Sequence, residues 1–439
     1  MDEQTIYRRR WLTLGVLCLS LVMIVVGNTV LNVAIPTLSR ELHATSSQLQ
    51  WMVDSYALIF AGLLLTAGAL GDRFGRKGAL TLGLIIFGTA SGVSALATSP
   101  TQIILTRGVM GLGAAFVMPA TLSILTNVFP PRERARAIAI WAGFAGAGAA
   151  IGPIAGGWLL ENFWWGSVFL LNVPIVLLAL GAGRVLVPTS RDPQHAALDP
   201  MGAGLSIVAV GSLVYGFIEA PDFGWSDRVT VSAFAIAAVF LVLFAWWELR
   251  FDHPMLDLRY FRDRRFSSGV LAITFVFFAM FGTFFLMTQY LQIVWGYSPL
   301  GAGVRSLPAA FGLMVFAPTG ARLVERFGAK RVVAGGLFLV AVGLVMLAQV
   351  GVDVNYPYFA LCLIVVSAGM GNTAAPSTAS IMSAMPLSKA GVGSAVNDTS
   401  RELGGALGVA VLGSLATSHY TASLADKIPA GVPARVAAV

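Results

Sequence analysis

Five ionisable residues, Asp54, Arg107, Asp398, Arg401 and Glu402, stand inside otherwise apolar stretches of this 439-residue chain. A charge in such surroundings is costly, and residues of this kind commonly serve proton transfer, ion pairing or ligand contact. A carboxylate there keeps its proton when buried among apolar groups and loses it when a cation comes near, so Asp54 beside Arg107 would be a device for loading and unloading protons. Asp398, Arg401 and Glu402 are spaced i, i+3 and i+4 and reach adjacent turns of one helix. They either neutralise one another or contact a coupling ion or substrate. Hydrolytic or redox chemistry finds no support. The four histidines are scattered, and Cys18 and Cys362 lie in apolar runs with no CxxC and no nearby His. No metal site, disulfide framework or enzyme is expected.

These residues need apolar elements to hold them, and the composition supplies little else: 57% of the chain is hydrophobic and 11% charged, with a mean hydropathy of +0.80. A bilayer core about 30 Å thick takes roughly 20 apolar residues per helical span. Such runs recur at 11–35, 49–70, 79–98, 101–126, 136–160, 166–187, 201–220, 229–249, 267–293, 301–323, 332–350, 357–385 and 391–417. Short alternating segments of a membrane barrel are missing, and backbone groups in lipid must otherwise be paired within helices. The expected fold class is therefore an all-α polytopic membrane protein with thirteen visible spans. The first run follows Arg8, Arg9 and Arg10 as a signal peptide would, but it is too long and has no small-residue cleavage site, so it reads as a retained helix. Most of the 28 Lys and Arg fall in one alternate set of connectors, which places the N-terminus in the cytoplasm. The net charge of +7 thus sets topology, and no nucleic-acid partner is expected.

The chain also repeats itself. GDRFGRK at 71–77 returns as VERFGAK at 324–330, an offset of 253 residues that lays Asp72 on Glu325 and Gly75 on Gly328. The expected division is a first six-helix half at 1–190, two inserted helices at 191–260 and a second half at 261–439. The offset calls for a sixth helix of the second half near 418–440. That stretch is too polar and proline-broken to span, so the fourteenth helix is expected to be missing. Two helical halves around a midplane cavity are a transporter architecture.

GALGDRFGRK (68–77), RGVMGLGAA (107–115) and GAGAAIGPIAGG (146–157) resemble the three signature motifs of the major facilitator superfamily. With the two inserted spans and the NxxxNVAIP-like end of the first helix, the chain resembles the fourteen-span drug:proton antiporter family within it. That resemblance implies proton-coupled efflux of lipophilic or amphipathic drugs by alternating access, driven by the proton gradient without a cofactor. It also implies gating at Gly68, Asp72, Arg73, Gly75 and Arg76, echoed at Glu325 and Arg326. Gly148, Gly152, Pro153, Gly156 and Gly157 form an antiporter-like motif. Its small residues recur at three- and four-residue intervals, so a neighbouring backbone can approach closely. Other readings are a dedicated exporter of one metabolite, antibiotic or lipid-like molecule, or a membrane receptor or scaffold that transports nothing.

Asp54 and Arg107 each lie about six residues inside their spans, roughly 9 Å deep at 1.5 Å per residue, in one layer. Asn28 and Asn32 flank that layer from the first span. With Tyr56, Gln289, Tyr290, Gln292 and Asp398 they are expected to line a substrate cavity. The resembling family carries an acid two residues before Thr29; here that position is Gly27, which predicts weak transport of dications. The expected partners are small amphipathic substrates, protons and the bilayer of a cell membrane, with a bacterial inner membrane as the site and a monomer as the working unit.

Overall fold

The computed structural model describes residues 3–190, 199–252 and 254–425. The expected missing helix falls largely on residues outside that set, as does most of the polar connector after residue 190. Fifteen α-helices are present among the described residues: α1 (Glu3–Glu41), α2 (Ser46–Phe74), α3 (Arg76–Ser94), α4 (Pro100–Val128), α5 (Pro131–Asn162), α6 (Ser167–Leu170), α7 (Asn172–Leu186), α8 (Pro200–Phe223), α9 (Arg228–Arg250), α10 (Arg264–Gln289), α11 (Pro299–Arg305), α12 (Leu307–Phe327), α13 (Ala329–Leu347), α14 (Tyr356–Ser383) and α15 (Ala390–Ala425). The all-α membrane fold expected from composition is observed. Among the described residues, twelve helical stretches are long and apolar enough to cross a bilayer.

Several boundaries differ from the sequence reading, for local reasons. The sixth run is broken into α6 and α7 at Leu171, and the tenth into α11 and α12 at Ser306, just before Pro308. Proline has no N–H to continue a ladder. The end of the ninth run widens into a π turn at Tyr290–Val294. The thirteenth run is helical throughout, but as α15 it is not among the twelve membrane-length apolar stretches. Asp398, Arg401 and Glu402 dilute its apolar character, and it is covered by protein instead. Asp398 is 1% exposed and Arg401 6%.

Pairings recur at the repeat offset. α2 and α3 pack on α4 as α12 and α13 pack on α14, and α1 packs on α5 as α10 packs on α15. Two further seams, α5 with α12 and α2 with α15, join these groups, while α8 and α9 pair with each other and lean through α8 on α2 and α15. The turns after α2 and α12 use the same device. Gly75 has φ +119° and Gly328 φ +79°, left-handed values that cost a side-chain-bearing residue energy and glycine almost none.

Candidate functional site

Asp72 stands at the end of α2 and is 4% exposed. Its Oδ1 accepts Arg76 Nε at 2.7 Å, while Oδ2 accepts the backbone N–H groups of Gly391 at 2.7 Å and Val392 at 3.2 Å. Ser123 Oγ approaches Oδ1 at 3.5 Å. The first N–H groups of a helix have no partner within it and carry partial positive charge, so a carboxylate is well placed there. Asp72 thus closes the start of α15 from the far side of the repeat. Arg76 completes the junction by donating from Nη2 to Leu387 O at 2.6 Å and Ser388 O at 3.2 Å. The approach depends on two glycines. A Cβ on Gly68 would lie 2.6 Å from Gly391 O, and one on Gly391 would lie 2.8 Å from Asp72 Oδ1.

Toward the other end of the bundle, Arg107 of α4 is 1% exposed. Its Nε donates to Met52 O at 3.0 Å, Nη1 to Gly27 O at 3.4 Å and Nη2 to Asn28 Oδ1 at 3.1 Å. The guanidinium lies 4.4 Å from the centre of the buried Tyr56 ring. One cation therefore fastens α1, α2 and α4 through carbonyl oxygens, with an aromatic face beneath it. Asp54 shares this layer on α2 and is half-buried. A Cβ on Gly27 would sit 2.9 Å from Phe87 Cζ and 3.4 Å from Asn172 Nδ2. That face of α1 abuts α3 and α7, so an acid at this position would enter the packing of the first repeat.

The third constellation is on α15. Arg401 Nη1 lies 3.7 Å from Asp398 Oδ1, and Asp398 accepts Asn397 Nδ2 at 3.1 Å and Ser394 Oγ at 3.4 Å. The Arg401 guanidinium is 4.9 Å from the Trp141 ring centre on α5 and 5.1 Å from that of Phe277 on α10. Its Nε is buried without a hydrogen-bond partner. Arg401 therefore stands between an aromatic ring of one repeat and one of the other. Glu402, one residue on, is half-buried on the same helix.

A model of the Major Facilitator Superfamily matches residues 17–409. The chain belongs to that superfamily. Among similar proteins, the multidrug efflux pump LfrA of Mycolicibacterium smegmatis is 36% identical, over 97% of this chain and 84% of its own. The methyl viologen resistance protein SmvA of Salmonella typhimurium is 37% identical, over 97% and 86%. The multidrug resistance protein Stp of Mycobacterium tuberculosis is 35% identical, over 97% and 79%. The crystal structure of the human organic anion transporter MFSD10 (TETRAN) shares the fold, with a TM-score of 0.68, 16% identity and 94% of both chains covered.

In this superfamily member the expected site residues fall into separate places. Gly68, Asp72 and Arg76 meet at the α2–α15 junction, and Asn28, Tyr56 and Arg107 meet in the layer just described. Asn32 lies on α1, but its side chain is outside the described residues. Arg73 follows Asp72 at the end of α2, with its guanidinium 5.5 Å from the Phe74 ring centre. Glu325 and Arg326 are exposed at the end of α12, Arg326 lying 5.3 Å from the Phe327 ring centre. Tyr290 donates its hydroxyl to Gly351 O and packs on Trp295, Gln289 is exposed and Gln292 half-buried. These three gather around the π turn after α10.

The sequence reading did not find Gly391, Val392, Leu387 and Ser388, which contribute backbone atoms to the Asp72–Arg76 junction. Backbone donors and acceptors leave no trace in residue type, and only Gly391 carries a signal, as a small residue beside a helix start.

The antiporter-like stretch uses two faces of α5. Gly148 and Gly156 meet Val25 and Val30 of α1, Gly157 meets Leu300, and Pro153 meets Gly303 of α11. At Gly152 a Cβ would overlap Thr29 Oγ1. Overpacking of this kind costs about 1–3 kcal/mol. Gly152→Ala is therefore expected to lower the thermal midpoint in detergent, and Gly152→Ala with Thr29→Ala to recover part of the loss, since the position-29 Cβ stays 2.9 Å away; an unchanged midpoint in the single variant would contradict the close approach.

Proposed function

We propose that this protein is a drug:proton antiporter of the fourteen-span type, moving lipophilic or amphipathic compounds outward by alternating access. The observation that carries this reading is the junction at Asp72. It ties the two repeats with a carboxylate on a helix start, a contact that can open and close without unfolding either side. The end carrying Asp72 and most basic connectors faces the cytoplasm, along with the N-terminus, in a bacterial plasma membrane. A single chain is the working unit, and the proton gradient supplies the energy without a cofactor. The efflux and resistance proteins named above support a drug as the cargo.

In this reading Asp54 carries the proton and Arg107 is the fixed cation whose field sets when the proton leaves. Asn28 and Tyr56 shape the polar wall beside them, and Asp398, held by Asn397 and Ser394, faces the cargo from the second repeat. The alternating step breaks the Asp72 junction on one side while the α5 seams with α1 and α11 loosen on the other.

The test is proton release from acid-loaded inside-out vesicles on adding lipophilic monocations, neutral compounds or methyl viologen as the dication. Monocations are expected to release protons, and methyl viologen to do so weakly, since Gly27 supplies no second carboxylate. Asp54→Asn is expected to cut proton-coupled flux at least tenfold while substrate exchange without a gradient persists. Parental flux in Asp54→Asn would remove Asp54 from the coupling role, and drug movement without proton release would refute antiport.

A further inference from the structure

The inserted hairpin of α8 and α9 holds a pair of buried acids that the transport reading leaves unused. Asp199 precedes α8, is 6% exposed, and caps that helix by accepting Gly202 N–H at 2.7 Å. Glu248, in the last turn of α9, is 2% exposed. Trp247 Nε1 donates to both Asp199 oxygens, at 2.9 Å and 3.0 Å, and Glu248 Oε2 accepts Leu256 N–H at 3.1 Å. Glu248 Oε1 is buried with no hydrogen-bond partner.

The orphan oxygen and the other acid sit on the same side of Gly202. Glu248 Oε1 and Asp199 Oδ2 both lie within 2.7 Å of the point a Cβ on Gly202 would occupy. Glycine is what lets the two carboxyl groups come together over the first turn of α8. Two buried carboxylates so placed repel strongly if both are charged, whereas one proton between them gives the orphan oxygen a hydrogen bond and removes the repulsion. The charged groups acting on Glu248 are Asp199 from the start of α8 and Lys389 from the turn between α14 and α15.

We propose that Asp199 and Glu248 form a proton-binding site in the hairpin of α8 and α9, with the proton held at the orphan Glu248 oxygen, and that its occupancy is felt at the Asp72–Arg76 junction through helix packing. The hairpin leans through α8 on α2 and α15, the two helices which that junction joins. A change of charge at the base of α8 therefore acts on the helices that must part when the junction opens. The hairpin thereby adds a second proton-responsive element, apart from Asp54. The link to the junction rests on the transport reading; the proton site does not.

The experiment is an infrared titration of the full chain in lipid nanodiscs, following the carbonyl stretch of protonated carboxyl groups. Glu248→Gln and Asp199→Asn keep shape and the hydrogen bonds to Leu256 and Gly202, and each is expected to remove one protonated-carboxyl band present in the parent at neutral pH. A parent-minus-variant difference with no such band overturns the site. In vesicles, Glu248→Gln and Asp199→Asn are both expected to flatten the pH profile of efflux. Parental pH profiles in both variants overturn the link. A parent chain that shows the band yet moves no drug would refute the transport reading and leave the proton site standing.

Discussion

Replacing Asp72 by Asn is expected to abolish net drug efflux, to below a tenth of the parental rate, while the protein still inserts and purifies. The substitution keeps the shape of the side chain and removes its charge. Arg76, whose side chain is 2% exposed in the ion pair, then stands buried without a countercharge, and the N–H groups of Gly391 and Val392 face a weaker acceptor. Removing one partner of a buried ion pair costs about 3–5 kcal/mol. A change of about 5.5 kcal/mol takes a two-state equilibrium from 99:1 to 1:99, so losses of this size empty most of the closed state. Spin labels on the exposed Phe74 and Leu387 sites would report the longer distance directly. A parental efflux rate with an unchanged label distance would show that the junction is not a switch.

Replacing Arg107 by Gln is expected to be more damaging to folding than to the closed junction. The guanidinium satisfies the carbonyls of Met52 and Gly27 and the amide oxygen of Asn28, and glutamine can replace only part of that set. Each buried acceptor left unpaired costs about 1–3 kcal/mol. A fall of several degrees in the thermal midpoint is expected, together with loss of proton-coupled flux. Arg107→Lys should restore the charge without restoring the fork, since an ammonium does not match the planar fork that reaches three acceptors spread over α1 and α2. A lysine variant that recovers stability and coupling together would mean that charge alone matters at this position.

The all-α membrane fold was legible because hydropathy and the 253-residue echo both survive in residue type. Helix breaks were less so. The interruption near Pro308 follows from a visible proline, whereas the π turn at Tyr290–Val294 has no comparable marker. Arg107 could be read as important from its charge in an apolar run, yet its hydrogen bonds go to main-chain and amide oxygens, which a sequence does not display. Asp72 was legible through its motif, and its acceptor role toward two N–H groups was not. The acids of the α8–α9 hairpin leave no mark in the sequence because Asp199 and Glu248 lie 49 positions apart, near the ends of their runs, where a charge looks like an ordinary interfacial residue.

The junction at Asp72 grips main chain on α15, and this has a consequence for how the protein can change over generations. A lock that recognises side chains obliges both surfaces to vary in step. Here the demand falls on the acid, on its arginine and on two glycines, since a side chain at 391 would press on the Asp72 carboxylate and one at 68 on the Gly391 carbonyl. Val392 meets the acid only through its N–H, and its buried side chain packs in the core instead, so the residue type there answers to that packing and not to the lock.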